Sequence, residues 1–300
     1  MSFISISKFK SLALIFVFTV VTSNAFAFPL PRGNQQELSI RSTKAFKFLN
    51  DLEAQKYNFE GIVKLSNCSG SLIRYENSKE TDLALILTNG HCLDLDQGFL
   101  DPGQVIYNQP MERSFGLYNA SAEIVGRLTS THIVYGTMTL TDMSIYRLNE
   151  TYADIKAKYN VSPLVLSSNK ASPADPIEVI SGYWKKGYSC SIEKFVGTLL
   201  EDAWTFKDSI RYTEPGCDTI GGTSGSPIIN PVTRQVVGVN NTSNEDGQVC
   251  TMNNPCEVDE NGNKKAYQGI SYGQQTYWVY SCLTEANEIN LLKEGCLLPR

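Results

Sequence analysis

The chain has 300 residues, 42% hydrophobic and 10% aromatic, which is enough apolar material for an enzyme-sized core and excludes a disordered chain. Lys and Arg total 26 against 31 Asp and Glu, a net charge of -5 that offers no basic footprint for nucleic acid. The first 27 residues stand apart in composition: Lys8 and Lys10 precede an apolar run from Leu12 to Val21, and small residues lead to Ala25-Phe26-Ala27. This pattern predicts a signal peptide cleaved after Ala27. The run is shorter than the roughly 20 apolar residues a membrane span needs, and no later segment reaches that length. The protein is expected to be secreted or periplasmic, a monomer with no membrane span after signal removal.

Residues 28–59 read as an N-terminal extension or a pro-segment, in which Ala45, Phe48, Leu49 and Leu52 recur at helical spacing. From residue 60 the pattern changes to short β-branched and aliphatic runs separated by turn residues. Ile62 to Leu65, Leu83 to Leu87, Ile124-Val125 and Ile133 to Tyr135 predict a first strand-rich half over about 60–150. A Ser-, Asn- and Pro-containing stretch over 151–176 reads as a linker. Ile177 to Ile180, Ile228-Ile229 and Val236 to Val239 open a second half over about 177–285, with a hairpin turn at Asn261-Gly262. A terminal helix is predicted at about 284–294, from Glu285 to Leu292, closed by Gly295. The expected class is all-β with a C-terminal helix, the strands forming two closed sheets.

The 8 cysteines all follow the predicted signal, as suits an oxidising compartment. No CxxC pair occurs and there are only 2 histidines, which argues against zinc. Asp259, Asn261 and Asn263 begin like a calcium loop, but Lys264 stands where such a loop needs Gly. No metal or cofactor is expected.

Three segments carry chemistry. Leu87-Thr88-Asn89-Gly90-His91-Cys92 puts a histidine in a turn directly after a strand. Thr141-Asp142-Met143-Ser144-Ile145 places an acid at the head of an apolar strand, where ionisation is costly without a hydrogen-bonded partner such as an imidazole N–H. Asp218-Thr219-Ile220-Gly221-Gly222-Thr223-Ser224-Gly225-Ser226-Pro227 sets a serine between glycines that allow positive φ and close approach of a substrate.

Together with Cys68-Ser69-Gly70-Ser71-Leu72-Ile73, these segments resemble the trypsin/chymotrypsin family of serine peptidases, in particular its bacterial glutamyl-endopeptidase-like branch. The resemblance runs from about Gly61 to the C-terminal helix. It implies two barrels with the active site between them and hydrolysis of protein or peptide substrates through an acyl-enzyme. His91 would be the general base, Asp142 its orienting partner and Ser224 the nucleophile, with an oxyanion hole from the backbone N–H groups of Gly222 and Ser224. The order His, Asp, Ser fits, whereas an α/β-hydrolase needs its histidine after the serine; His91 and His132 both precede Ser224. His132 is expected to be structural.

The resemblance also implies a Cys68–Cys92 disulfide. For the remaining cysteines we infer Cys250–Cys256 closing a small loop, Cys282–Cys296 stapling the terminal helix, and Cys190–Cys217 as the pair left over. The sequence departs from the family at Thr223, where animal members carry the Asp that pairs with a freshly cut N-terminus. Asp218 stands where trypsins place the pocket-floor carboxylate that holds Arg or Lys, and Thr219 matches the glutamyl-endopeptidase branch, whose histidine is replaced by Asn240. The competing readings are a catalytically silent or latent binding protein on the same fold and a narrow esterase or processing enzyme.

Overall fold

The structure is a computed structural model that describes residues 56–95 and 97–300. The expected signal at 1–27, and the extension at 28–59 with its helix near Ala45 to Leu52 except for its last residues, lie outside the described residues. Those last residues are packed: Phe59 is fully buried, its ring edge-on to Tyr118 with centroids 5.9 Å apart.

The first strand-rich half closes on itself. It contains β1 (Ile62–Lys64), β2 (Ser69–Arg74), β3 (Leu83–Thr88), β4 (Val105–Pro110), β5 (Ser114–Tyr118), β6 (Ile124–Thr137) and β7 (Met143–Thr151). The ring runs β1-β2-β3-β7-β6-β5 and back to β1, all antiparallel, with β4 paired to β6 outside it. The runs at Ile124 and Ile133 belong to one long strand, β6, whose first part pairs with β5 and whose second part pairs with β7. Alternation explains why β3 is apolar almost throughout. Ala84 and Ile86 enter the barrel core with Leu72, Phe115 and Tyr146, while Leu85 and Leu87 join a second core on the outer wall.

The stretch over 151–176, expected as a plain linker, holds a helix, α1 (Tyr152–Tyr159), and a short strand, β8 (Leu164–Val165), parallel to β2. The helix starts with a capping box: Asp154 N donates to Thr151 Oγ1 at 3.1 Å and Thr151 N donates to Asp154 Oδ2 at 3.1 Å. It ends at Asn160, which adopts the left-handed conformation.

The second half contains β9 (Pro176–Ser181), β10 (Lys186–Glu201), β11 (Trp204–Tyr212), β12 (Pro227–Ile229), β13 (Val236–Ser243), β14 (Cys256–Val258), β15 (Lys264–Ala266) and β16 (Ser271–Gln275). It too forms a closed ring, β9-β10-β11-β16-β13-β12, with β14 and β15 extending from β10. The turn between β14 and β15 falls at Asn261-Gly262, as expected, with Gly262 at φ 81°.

The C-terminal helix is present, but at α2 (Trp278–Cys282) and not at 284–294. The predicted segment turns instead, with Asn287 at φ 60° and Leu283 bridging antiparallel to Ile289; Leu292 is 81% exposed. Trp278, Val279, Leu283, Ile289 and Leu298 join the core outside the first barrel. All four disulfides are those anticipated: Cys68–Cys92, Cys190–Cys217, Cys250–Cys256 and Cys282–Cys296.

Candidate active site

His91 and Asp142 hang from adjacent strands of the first barrel. β3 runs into the turn bearing His91, and Asp142 stands immediately before β7, which pairs with β3. The two strand ends are tied together by Asn89 Nδ2 donating to Asp142 O and Ser144 Oγ donating to Asn89 O, both at 2.7 Å. Asp142 is 1% exposed. Its Oδ1 accepts the His91 backbone N–H at 3.0 Å and its Oδ2 lies 2.6 Å from His91 Nδ1, so both oxygens of a buried carboxylate are satisfied. Burial opposes charging the imidazole, but the charge and hydrogen bond of Asp142, joined by the charge of Glu201, outweigh it and raise the His91 pKa above the ordinary histidine value.

The turn has a brace that sequence reasoning did not find. Arg113 is buried and donates to Cys92 O at 2.6 Å, to Tyr146 Oη at 3.0 Å and to Asn67 Oδ1 at 2.7 Å. It thereby holds the disulfide-linked residue next to His91. Cys68, His91 and Cys92 are also the compact donor group among the described residues that could be taken for a metal site, but its two sulfurs are joined to each other.

Ser224 belongs to the turn leading into β12 of the second barrel. Gly225 lets that turn reach the first barrel: its φ is 79°, and a Cβ there would lie 2.1 Å from Thr88 Oγ1 and 2.2 Å from Ser69 O. Ser69 N donates to Ser224 O at 2.8 Å across the same contact. Ser224, His91 and Asp142 consequently line one cleft. Ser224 Oγ donates to Asn241 O at 3.3 Å; among the described residues it makes no hydrogen bond to His91.

The turn is held from inside by a neutral chain of hydrogen bonds. Tyr212 Oη donates to Asn240 Oδ1 at 3.0 Å, Asn240 Nδ2 to Thr223 Oγ1 at 3.2 Å, and Thr223 Oγ1 to Ile220 O at 2.5 Å. Thr223 and Asn240, two departures from the family pattern, therefore form one buried unit. On the outside, Trp184 Nε1 donates to Gly221 O at 2.7 Å and Ser69 Oγ to Gly222 O at 3.1 Å. Gly222 has φ 87°, and neither its N–H nor that of Ser224 donates to another described group.

Of the two residues expected to bind substrate, Thr219 is buried and lines the cleft. Asp218 is exposed and does not line it, because the chain turns outward between Cys217 and Thr219; the expected pocket-floor carboxylate is not at the floor. The buried carboxylate the cleft does contain besides Asp142 is Glu201, which no motif in the sequence marks. His132 lies on β6 away from the cleft, in keeping with a structural place.

No curated protein matches this chain significantly. Among solved structures, the MamO protease domain from Magnetospirillum magneticum is 11% identical, over 76% of this chain and 98% of that one, with a TM-score of 0.47. An inactive form of Rv3671c from M. tuberculosis H37Rv is 14% identical over 75% and 83%, with a TM-score of 0.42. A Glu endopeptidase in complex with MPD is 18% identical over 72% and 85%, with a TM-score of 0.40. The family described as the trypsin-like peptidase domain matches residues 68–239, more than half of the chain, and this protein belongs to that family.

Proposed function

We propose that this trypsin-like peptidase is an exported serine endopeptidase that cleaves peptide bonds through an acyl-enzyme. The observation that carries the reading is the buried Asp142 carboxylate gripping both the backbone N–H and the ring Nδ1 of His91, in the cleft that also holds Ser224. With Nδ1–H committed to Asp142, the imidazole presents Nε2 as a base.

Ser224 Oγ attacks the substrate carbonyl while His91 Nε2 takes its proton. The unbonded N–H groups of Gly222 and Ser224 receive the oxyanion. His91 then returns the proton to the leaving amine, giving an acyl-Ser224 ester. Water attacks that ester with His91 again as base, and the acid leaves as Ser224 recovers its proton. The Ser224 hydroxyl must rotate from Asn241 O towards His91 for the first step; such bonds commonly tighten only with substrate in place. Thr219 lines the cleft on the side of the Ser224 turn and serves as a wall for substrate. Four disulfides and the charged-then-apolar N-terminus support export.

The resting bond from Ser224 to Asn241 also fits a latent or silent binding protein, and one experiment separates the two. Labelling of residues 28–300 by a fluorophosphonate at about pH 8, lost in Ser224→Ala and His91→Ala, is expected for the peptidase. A folded wild type that neither labels nor labels after limited proteolysis overturns it. Comparing ester with peptide turnover then separates an endopeptidase from a narrow esterase.

A further inference from the structure

Cation binding in this cleft was expected at Asp218, which lies elsewhere. The charge the cleft does contain is distributed differently. Among the described residues, Asp142, Glu201 and Glu245 line it, and no Lys or Arg does. Asp142 is committed to His91, and Glu245 is exposed. Glu201 differs from both: it is 7% exposed, and its carboxylate is rigidly placed.

The placement comes from two elements. Glu201 and Trp204 are paired at the end of the β10–β11 hairpin, which turns at Asp202 with φ 50°. The hairpin end is fastened to the Cys250–Cys256 loop, since Asp202 N donates to Cys250 O at 3.1 Å and Asn253 N to Glu201 Oε1 at 2.9 Å. Thr242 Oγ1 donates to the same oxygen at 3.0 Å. Among the described residues, both bonds fall on Oε1, and Oε2 accepts none.

One wall of the cleft is apolar. Trp204, Met138 and Phe206 are buried in the cleft wall, and Phe99 and Met252 extend it outward, 47% and 40% exposed. Phe99 stands edge-on between His91 and Trp204, with centroid separations of 6.1 and 6.0 Å. Asn241 also lines the cleft at 4% exposure, with its Nδ2 buried inside the wall.

We infer that Glu201 is a specificity-determining residue, the anionic floor of a subsite on the His91 side of the cleft that takes an Arg or Lys side chain of the substrate. The apolar wall accommodates the aliphatic stem, and Oε2 receives the guanidinium or ammonium in a charge-assisted hydrogen bond. Burial raises the Glu201 pKa against the lowering effect of Thr242 and Asn253, and a cation against Oε2 is the partner that offsets this cost. This inference rests on the peptidase reading and adds a substrate class to it.

The test compares kcat/KM on internally quenched peptides that carry Arg or citrulline, its neutral isostere, at each position around the cut. Wild type is expected to favour Arg at one position by about tenfold or more, as one charge-assisted hydrogen bond predicts. That ratio is expected to collapse to below about threefold in Glu201→Gln and to persist in Asp218→Asn and Glu245→Gln, which alter exposed residues and are safe for folding. A ratio near one at every position in wild type overturns the inference. So does a ratio that survives in folded Glu201→Gln, or one abolished by Asp218→Asn or Glu245→Gln. Binding of the Arg and citrulline peptides to Ser224→Ala, followed by calorimetry, repeats the comparison without catalysis. If wild type fails to label with fluorophosphonate while Ser224→Ala still prefers the Arg peptide, the peptidase reading falls and the subsite stands; if Ser224→Ala binds both peptides equally, the subsite falls.

Discussion

The indole N–H of Trp184 donates to the carbonyl oxygen of Gly221 at 2.7 Å, although Trp184 is 46% exposed. In a planar trans peptide the carbonyl and the following N–H point in opposite directions. The bond to Gly221 O therefore sets the direction of the Gly222 N–H, one of the two proposed oxyanion donors. Trp184→Phe keeps the aromatic bulk and removes the donor. Loss of a whole oxyanion donor costs about 100-fold or more in kcat, so release of its anchor is expected to cost about tenfold with KM little changed. Steady-state kinetics and the affinity of a peptide boronate, which should weaken in parallel with kcat, check this. An unchanged kcat would mean that the other bonds of the turn fix the Gly222 N–H without Trp184.

The raised His91 pKa has a signed consequence for activity. The base must be neutral to accept the Ser224 proton, so kcat/KM is expected to fall on the acid side with a midpoint above the ordinary histidine value. Removing a carboxylate that favours the imidazolium moves this limb to lower pH. Asp142→Asn is expected to do so and also to lower kcat by about 10⁴-fold by disturbing the tautomer, whereas Glu201→Gln shifts the limb with no such loss of kcat. Full pH profiles of the three proteins decide. A limb that moves upward in either variant contradicts the assignment.

Gly90 precedes the proposed base and has no room for a side chain. A Cβ there would lie 2.0 Å from Thr137 O and 3.0 Å from Asp142 Oδ1. Gly90→Ala is expected to destabilise the fold by about 3 kcal/mol and to displace His91, read as a lowered Tm and lost labelling. Gly197, in β10, has open space at its Cβ position, and Gly197→Ala should stay within about 0.5 kcal/mol of wild type.

Thr223→Val keeps the shape and removes a hydroxyl that both accepts from Asn240 and donates to Ile220 O. Asn240 Nδ2 is then left buried without a partner, at an expected cost of about 1–3 kcal/mol in urea unfolding. Because the Thr223 bonds shape the Ser224 turn, labelling should slow as well. A variant as stable and as reactive as wild type would show that the turn does not depend on the chain from Tyr212.

The sequence made the two barrels legible because their cores obey alternation: Ala84 and Ile86 face one way, Leu85 and Leu87 the other. The convergence of His91, Asp142 and Ser224 on one cleft was legible as ordered motifs. Local signals were present for α1 but passed over, since Thr151 and Asp154 spell a capping box within a polar stretch. The terminal helix was placed too late in the chain, because Gly295 read as its closing residue and nothing in the sequence announced the left-handed backbone of Asn287 that breaks the helical path. Glu201 was not legible at all. It closes β10 directly after Leu199 and Leu200, and what buries it is the contact of a hairpin with a loop some 50 residues later in the chain, anchored through Asn253. Asp218 failed for the converse reason: sequence distance from Ser224 placed it correctly along the chain but did not say which way that chain would turn.

The contact at Gly225 joins halves made at different times. His91 and Asp142 belong to strands synthesised first, and Ser224 to strands that follow, so a chain emerging from its point of synthesis carries the proposed base before the serine it would deprotonate. Only when the second barrel has closed and its turn has slid against Thr88 and Ser69 does the cleft exist. A copy that stops short of the second barrel therefore lacks the cleft on which the proposed chemistry depends, because the two barrels divide that labour between them.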